Sequence, residues 1–321
     1  MNRLKSLLNP GDQLDHYRID RVVARSNVAT VFHATDLRNN REVAIKVPHP
    51  DVESDPTFSD WFRREQETGE LLDHPGVMKV ITDDGRTEAY IVMEWFEAKT
   101  LRQILNEEKR VAPERAVRIA VAICNALEYI HGCGIVHGNL RPENVLIGTG
   151  DSIKLIEFSG AAKTKARRLT LTKIAQIAGE SDYVSPEEVV GKRGDARSDI
   201  YALGMILYEM LTGRQPFPQH DPSDRLLNYP VPPREIDPTI SPQLQEVIYR
   251  AMEREPQNRY ANASEFARDL EHLDQVGIED RPELRDWKKK RTRQSKKYLL
   301  YALIALIPVV IFGLLLYLAR R

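Results

Sequence analysis

The chain has 321 residues, enough for one large domain or two medium ones with a core of useful size. Its 46 Lys and Arg stand against 47 Asp and Glu, a formal charge of −1, which excludes a global basic field for nucleic acid. Two cysteines, Cys124 and Cys133, form neither a CxxC pair nor a disulfide framework, which excludes a cysteine-built metal site and fits a reducing compartment.

The opening MNRLKSLLNPGDQL carries too short an apolar run before Asn9-Pro10 for a signal-peptide core, so the body of the protein is expected not to be exported. From Tyr17, apolar and polar residues alternate in YRIDRVVARS, ATVFHATD and REVAIKV, with a turn-like RNN between the last two. That period of two predicts successive antiparallel strands up to about residue 47. A helix is expected over about 58–72, and EAYIVMEWF reads as a further strand. Helical periodicity then governs LRQILNEE, PERAVRIAVAICNALEYIHGCG and SDIYALGMILYEMLTG, with Gly132 and Gly134 closing the long helix. Repeated prolines over 215–242 predict irregular chain before two last helices in SPQLQEVIYRAME and ASEFARDLEHL. The order is a small strand-rich half followed by a large helical half.

Residues 274–297 read as a linker that ends in KKKRTRQSKK, Lys288 to Lys297, with seven positive charges and no acid. From Tyr298 to Leu318, 21 residues carry no charge. At about 1.5 Å per residue a helix of that length spans roughly 30 Å, the thickness of a bilayer core, and Pro308 and Gly313 are compatible with a lipid-embedded helix. The excess of positive charge on its N-terminal side predicts a large domain in the cytoplasm with only Ala319, Arg320 and Arg321 across the membrane. The basic run is expected to attract anionic lipid.

Nine segments occur in a fixed order: VAIK at 43–46, FRREQE with Glu65, HPGV at 74–77, IVMEW at 91–95, IVHGNLRPENVLI at 135–147, IKLIEFS at 153–159, SPEE at 185–188, DARSDIYALGMILYEMLTGRQPF, and NRY at 258–260. In that order and spacing, residues 17–273 resemble a protein kinase domain of the bacterial, eukaryotic-like Ser/Thr type. The resemblance implies an α+β, bilobal fold with a small β-rich lobe and a large helical lobe. Together with the charge and hydropathy reading above, it divides the chain into a lead at 1–16, the kinase-like domain at 17–273, a basic juxtamembrane linker at 274–297, a transmembrane helix at 298–318 and a tail at 319–321. It implies ATP as ligand: Lys46 on the α- and β-phosphates, Glu65 holding Lys46, Val31, Ala44 and Leu146 sandwiching adenine, Met93 behind it, and the backbone of Glu94 and Phe96 as acceptor and donor. Asn144 matches the second metal ligand, Asp199 the carboxylate that holds the catalytic loop, and Glu187 with Arg259 a buried architectural pair.

The departures from the family pattern gather where chemistry happens. The phosphate-covering loop has Ala24, Ser26 and Ala29 where glycines are expected. The base position is Asn139, an amide that takes up no proton, and the Lys expected after it is Arg141. Glu157 replaces the metal-binding Asp on a longer arm, which predicts weak dependence on Mg²⁺ or Mn²⁺. Glu180 stands where a bridging Thr is expected, and Gly138 replaces the Arg that would read phosphorylation of Thr164, Thr170 or Thr172. These substitutions imply a membrane-anchored pseudokinase that binds nucleotide and cytoplasmic or membrane protein partners. The alternative is an active but divergent Ser/Thr kinase, since Lys46, Glu65, Asn144 and a carboxylate at 157 remain. A third class is an adaptor that binds no nucleotide.

Overall fold

The computed structural model describes residues 8–50, 56–83, 85–158, 162–163, 182–217, 224–281, 284–285 and 287. Ser159, Thr164, Thr170, Thr172, Glu180, the Lys288 to Lys297 run and the apolar stretch 298–318 lie outside them. Among the described residues no helix is long and apolar enough to cross a membrane.

Five strands form one antiparallel sheet in chain order: β1 (Gln13–Leu14), β2 (Tyr17–Arg25), β3 (Ala29–Asp36), β4 (Arg41–Pro48) and β5 (Ile91–Glu94). Directly opposed residues in such a sheet share a face, so register decides which side chains meet. Phe32 opposes Ile45, which opposes Val92; all three enter a core completed by Tyr17, Ile19, Ala34 and Val47. One residue along, Val31 opposes Lys46 and Ala44 opposes Met93, which puts this second set together on the other face. The alternation read from the sequence therefore sorts residues between core and cleft. The strand expected across EAYIVMEWF is shorter, Ile91–Glu94, and the helix expected over 58–72 is α1 (Pro56–Glu70). Part of the lead, β1, belongs to the sheet.

The large lobe holds α2 (Leu101–Glu108), α3 (Pro113–Gly132), α4 (Pro186–Val189), α5 (Ala196–Thr212), α6 (Pro242–Ala251) and α7 (Ala263–Glu271), with α3 packed on α5 and α7, and α6 on α5. α5 is buried all round from Ser198 to Thr212, as an apolar helix without a polar stripe must be. Asp195 caps its first turn by accepting the Arg197 N–H. It stops at Gly213, whose φ of +68° and close approach to the Lys109 carbonyl both demand glycine. Gly204 lets α6 approach: a Cβ there would lie 2.9 Å from Ala251 Cβ.

Short strands carry the functional loops: β6 (Lys99–Thr100), β8 (Val145–Ile147) and β9 (Ile153–Leu155) in one sheet, β7 (Ile135–Val136) and β10 (Ala162–Lys163) in another. Two segments differ from the sequence reading. The proline-rich stretch 215–242 includes helical turns at Asp224–Leu227 and Pro233–Ile236. In the expected linker, Arg281 is buried and pairs with Glu246 at 2.6 Å and Glu253 at 2.5 Å, so the packed body extends to residue 281.

Candidate active site

The residues implied for the adenine end come from both lobes. Val31 and Met93 are half-buried and Ala44 buried on the sheet face that also carries Lys46. Leu146 is half-buried between buried Val145 and Ile147 on β8. The Glu94 N–H donates to the Lys79 carbonyl at 3.0 Å, so an adenine contact at Glu94 has its carbonyl to use. A pair that the sequence reading missed pins this hinge: Lys154 Nζ, buried on β9, lies 2.6 Å from Glu94 Oε1 and 5.7 Å from the Phe96 ring. The signal was a lone Lys between Ile153 and Leu155. Gly148 makes room for that ring, since a Cβ there would lie 2.6 Å from Phe96 Cζ.

At the phosphate end, β4 and α1 bring Lys46 to Glu65, with Nζ 2.8 Å from each carboxylate oxygen. Glu157 reaches the same ammonium, Oε1 at 2.5 Å, from a backbone at φ +66°, a left-handed conformation that costs a non-glycine residue about 1 kcal/mol or more. Lys46 and Glu65 are buried, and the partly exposed Glu157 closes the cluster from the solvent side, so two carboxylates share one ammonium. Burial works to lower the Lys46 pKa, but Glu157 and then Glu65 outweigh it and hold the amine well above its ordinary range. Burial and then the Glu157 charge push Glu65 up to about 7, against the pull of Lys46. The two shifts agree because one cation is shared by two acids. Ala24 is exposed opposite Val31 in β2, and exposed Ser26 turns inward on its hairpin: its Oγ accepts the N–H groups of Val28 at 3.3 Å and Ala29 at 3.1 Å.

Asp199 holds the backbone of the catalytic loop as the resemblance implies. Asp199, 1% exposed, accepts the N–H groups of His137 and Gly138 at 2.9 Å each and pairs with His131 at 2.8 Å. Burial works to raise its pKa, but His131, His137 and these N–H groups hold it below its ordinary value. Asn144 Nδ2 donates to the Asn139 carbonyl at 2.8 Å. His137, fully buried and given no role by sequence reasoning, donates through Nε2 to the Ile156 carbonyl at 3.1 Å and accepts the Asn139 N–H through Nδ1 at 3.3 Å. Burial depresses its pKa, which suits the neutral ring those two bonds require. Asn139 is half-buried and lines a cavity of about 170 Å³ with Arg141, Asp182 and Gln215.

Arg141 departs most from the implied arrangement. Its Nε donates to Glu143 at 2.7 Å, and Glu143 also binds Arg102, which continues to Glu209 at 2.6 Å and Tyr183 at 2.7 Å. Away from the chemistry, Glu187 and Arg259 form the expected pair, with nitrogen–oxygen distances of 2.8 and 2.6 Å. The structure thus brings together Lys46, Glu65 and Glu157; Asn139 with Asn144; and Val31, Ala44 and Met93 on one sheet face. A divalent cation of the hard-oxygen class would find donors in Glu157 and Asn144, which fits Mg²⁺ or Mn²⁺ by ligand type.

A family model described as "Protein kinase domain" matches residues 17–270. The chain belongs to the protein kinase family. It is 34% identical over 288 residues to the serine/threonine-protein kinase PknB of Mycolicibacterium smegmatis, covering 87% of this chain and 46% of that protein. It is likewise 34% identical over 273 residues to PknB of Mycobacterium tuberculosis, covering 82% and 44%. These relatives place it in the bacterial, eukaryotic-like Ser/Thr branch, although it spans less than half the length of either. The crystal structure of the Mycobacterium tuberculosis PknI kinase domain superposes with a TM-score of 0.65 at 24% identity, over 83% of this chain and all of that one, which shows the bilobal fold. The family implies ATP, usually with Mg²⁺ or Mn²⁺, and the comparisons lend no support to the expected weak metal dependence.

Proposed function

We propose that the protein is a membrane-anchored member of the Ser/Thr protein kinase family that binds an adenine nucleotide and signals through protein partners, with little or no phosphotransfer. One observation carries this reading: the catalytic loop is fully assembled, by Asp199 on the backbone of His137 and Gly138 and by Asn144 on the Asn139 carbonyl, around an amide. An amide at the base position forgoes proton removal and the charge that orients the attacking hydroxyl, worth roughly 10²- to 10⁴-fold. Arg141, bound to Glu143, and Ser26, bound within its hairpin, support the reading. Adenine would lie between Val31, Ala44 and Leu146, and a bound cation, held by Glu157 and Asn144, would neutralise phosphate charge. The apolar stretch 298–318 would anchor the protein with its domain in the cytoplasm, and the Lys288 to Lys297 run would hold anionic lipid.

The second reading, a divergent active Ser/Thr kinase, is favoured by the intact Lys46–Glu65 pair, the carboxylate at 157 and relatives that are themselves Ser/Thr kinases. Titration of the full-length protein in detergent with ATP, with and without Mg²⁺ or Mn²⁺, beside a phosphotransfer assay, separates the readings. Binding without transfer supports the first, transfer the second, and neither the adaptor class.

A further inference from the structure

The two ends of the cleft differ in what they offer a ligand. The adenine end presents the half-buried apolar side chains of Val31, Met93 and Leu146 beside a hinge pinned by Lys154 and Glu94. At the phosphate end the groups that would meet a phosphate already have partners. An ammonium has three N–H donors. Lys46 gives two of them to Glu65 at 2.8 Å and one to Glu157 at 2.5 Å. The hairpin tip closes on itself in the same way. Ser26 Oγ accepts the N–H groups of Val28 and Ala29, while its own N–H and hydroxyl donate to the Ala29 carbonyl at 2.9 and 3.1 Å. Two carboxylates around one ammonium also set a negative excess against an incoming polyphosphate.

Of the two carboxylates, Glu157 is the one placed to exchange with a ligand. The Glu65 side chain is 6% exposed and fixed by burial, whereas the Glu157 side chain is 26% exposed and reaches Lys46 from the other lobe. We propose that, without a divalent cation, this cleft recognises the nucleoside and is indifferent to the phosphates: it takes adenosine and gains little from added phosphates, with Glu157 standing in for phosphate on Lys46. The inference rests on the reading that adenine occupies the cleft, and it assigns Glu157 as the residue that cancels the gain from phosphate there.

The test is calorimetric titration of the full-length protein in detergent with adenosine, ADP and ATP in excess EDTA, for the wild type, Glu157→Gln and Glu157→Ala. Wild-type affinities for adenosine and ATP are expected to differ by less than about 5-fold. A charge-assisted hydrogen bond to phosphate is worth about 10-fold or more, so at least one variant should favour ATP over adenosine past that mark. A wild-type preference for ATP of about 5-fold or more, or both variants staying below it, overturns the assignment, since one charge-assisted bond alone exceeds it. Absence of adenosine binding to the wild type is a separate outcome: it defeats the nucleotide reading itself, and the indifference to phosphate with it.

Discussion

Removing the Glu187 carboxylate is the sharpest test of what holds the large lobe together. The Arg259 side chain is fully buried and Glu187 10% exposed, and the pair spans residues 72 apart in sequence. In Glu187→Ala the guanidinium keeps bonds to the carbonyls of Glu253, Arg197 and Arg254 at 2.7, 2.9 and 3.0 Å, but its charge is uncompensated. Ser198, which donates to Glu187 at 2.7 Å, loses its acceptor as well. Orphaning one member of a buried pair costs about 3–5 kcal/mol; the three surviving carbonyl bonds argue for the lower part, about 3–4 kcal/mol. For a domain of this size that is a fall in Tm of roughly 6–16 °C. Thermal and urea melts followed by tryptophan fluorescence read it directly. Burial works to raise the Glu187 pKa, but Arg259 and Ser198 outweigh it and hold the folded value below the ordinary one. The unfolded chain therefore protonates first: the stabilisation is present above about pH 4.3 and fades as pH falls through the lower folded value, so wild type and variant converge in acid. A loss under about 1 kcal/mol at pH 7 would place the pair with solvent-screened surface pairs and show that it does not hold the lobe together.

Three further outcomes are expected, two from the geometry and one from the charge and hydropathy of the sequence. Gly148→Ala puts a methyl 2.6 Å from Phe96 Cζ, and should cost about 1–3 kcal/mol while weakening adenosine binding through the displaced hinge; unchanged binding would show that Phe96 does not set the hinge. His137 is held neutral by burial, below its ordinary 6.5, so stability should fall as pH drops below about 6.5, where only the unfolded state takes up the proton; His137→Gln should flatten that dependence. A reporter fused after Arg321 should lie outside the cytoplasm and one before Met1 inside it, with two cytoplasmic reporters defeating the membrane anchor.

Much of this architecture was legible because it repeats. Period-two alternation in ATVFHATD and REVAIKV predicts which of Phe32 or Val31, and of Ile45 or Lys46, enters the core, and pairing in register then places Lys46 on the cleft face. Lys46, Glu65, Glu157, Asn139 and Asn144 were found through order and spacing; the structure joins Lys46 to Glu65 as expected, but it sets Glu157 on Lys46 and Asn144 on the Asn139 carbonyl, two contacts the sequence did not announce. What stayed hidden depends on partners remote in sequence. Nothing in IKLIEFS announces that Lys154 will meet Glu94, and nothing in LRPEN announces that Arg141 will share Glu143 with Arg102. Ser26 reads as a small substitute for glycine, yet its hydroxyl is a hydrogen-bonding group and the hairpin uses it. Arg281 lies in a stretch with no periodicity, where a single buried contact outweighs the linker-like composition.

We propose that the assembled catalytic loop, with an amide at its base position, no longer transfers phosphate. The direct measurement is ³²P transfer from ATP, with Mg²⁺ or Mn²⁺, to the protein itself and to generic protein substrates, for wild type, Lys46→Met, Asn139→Ala and the combined Asn139→Asp, Glu157→Asp, Glu180→Thr protein. Wild-type transfer is expected to be no greater than that of Lys46→Met, with any recovery confined to the combined protein, because base, metal ligand and bridge act as one unit. Robust wild-type transfer abolished by Asn139→Ala would contradict this proposal, and would mean that an amide at this position serves catalysis by orientation alone.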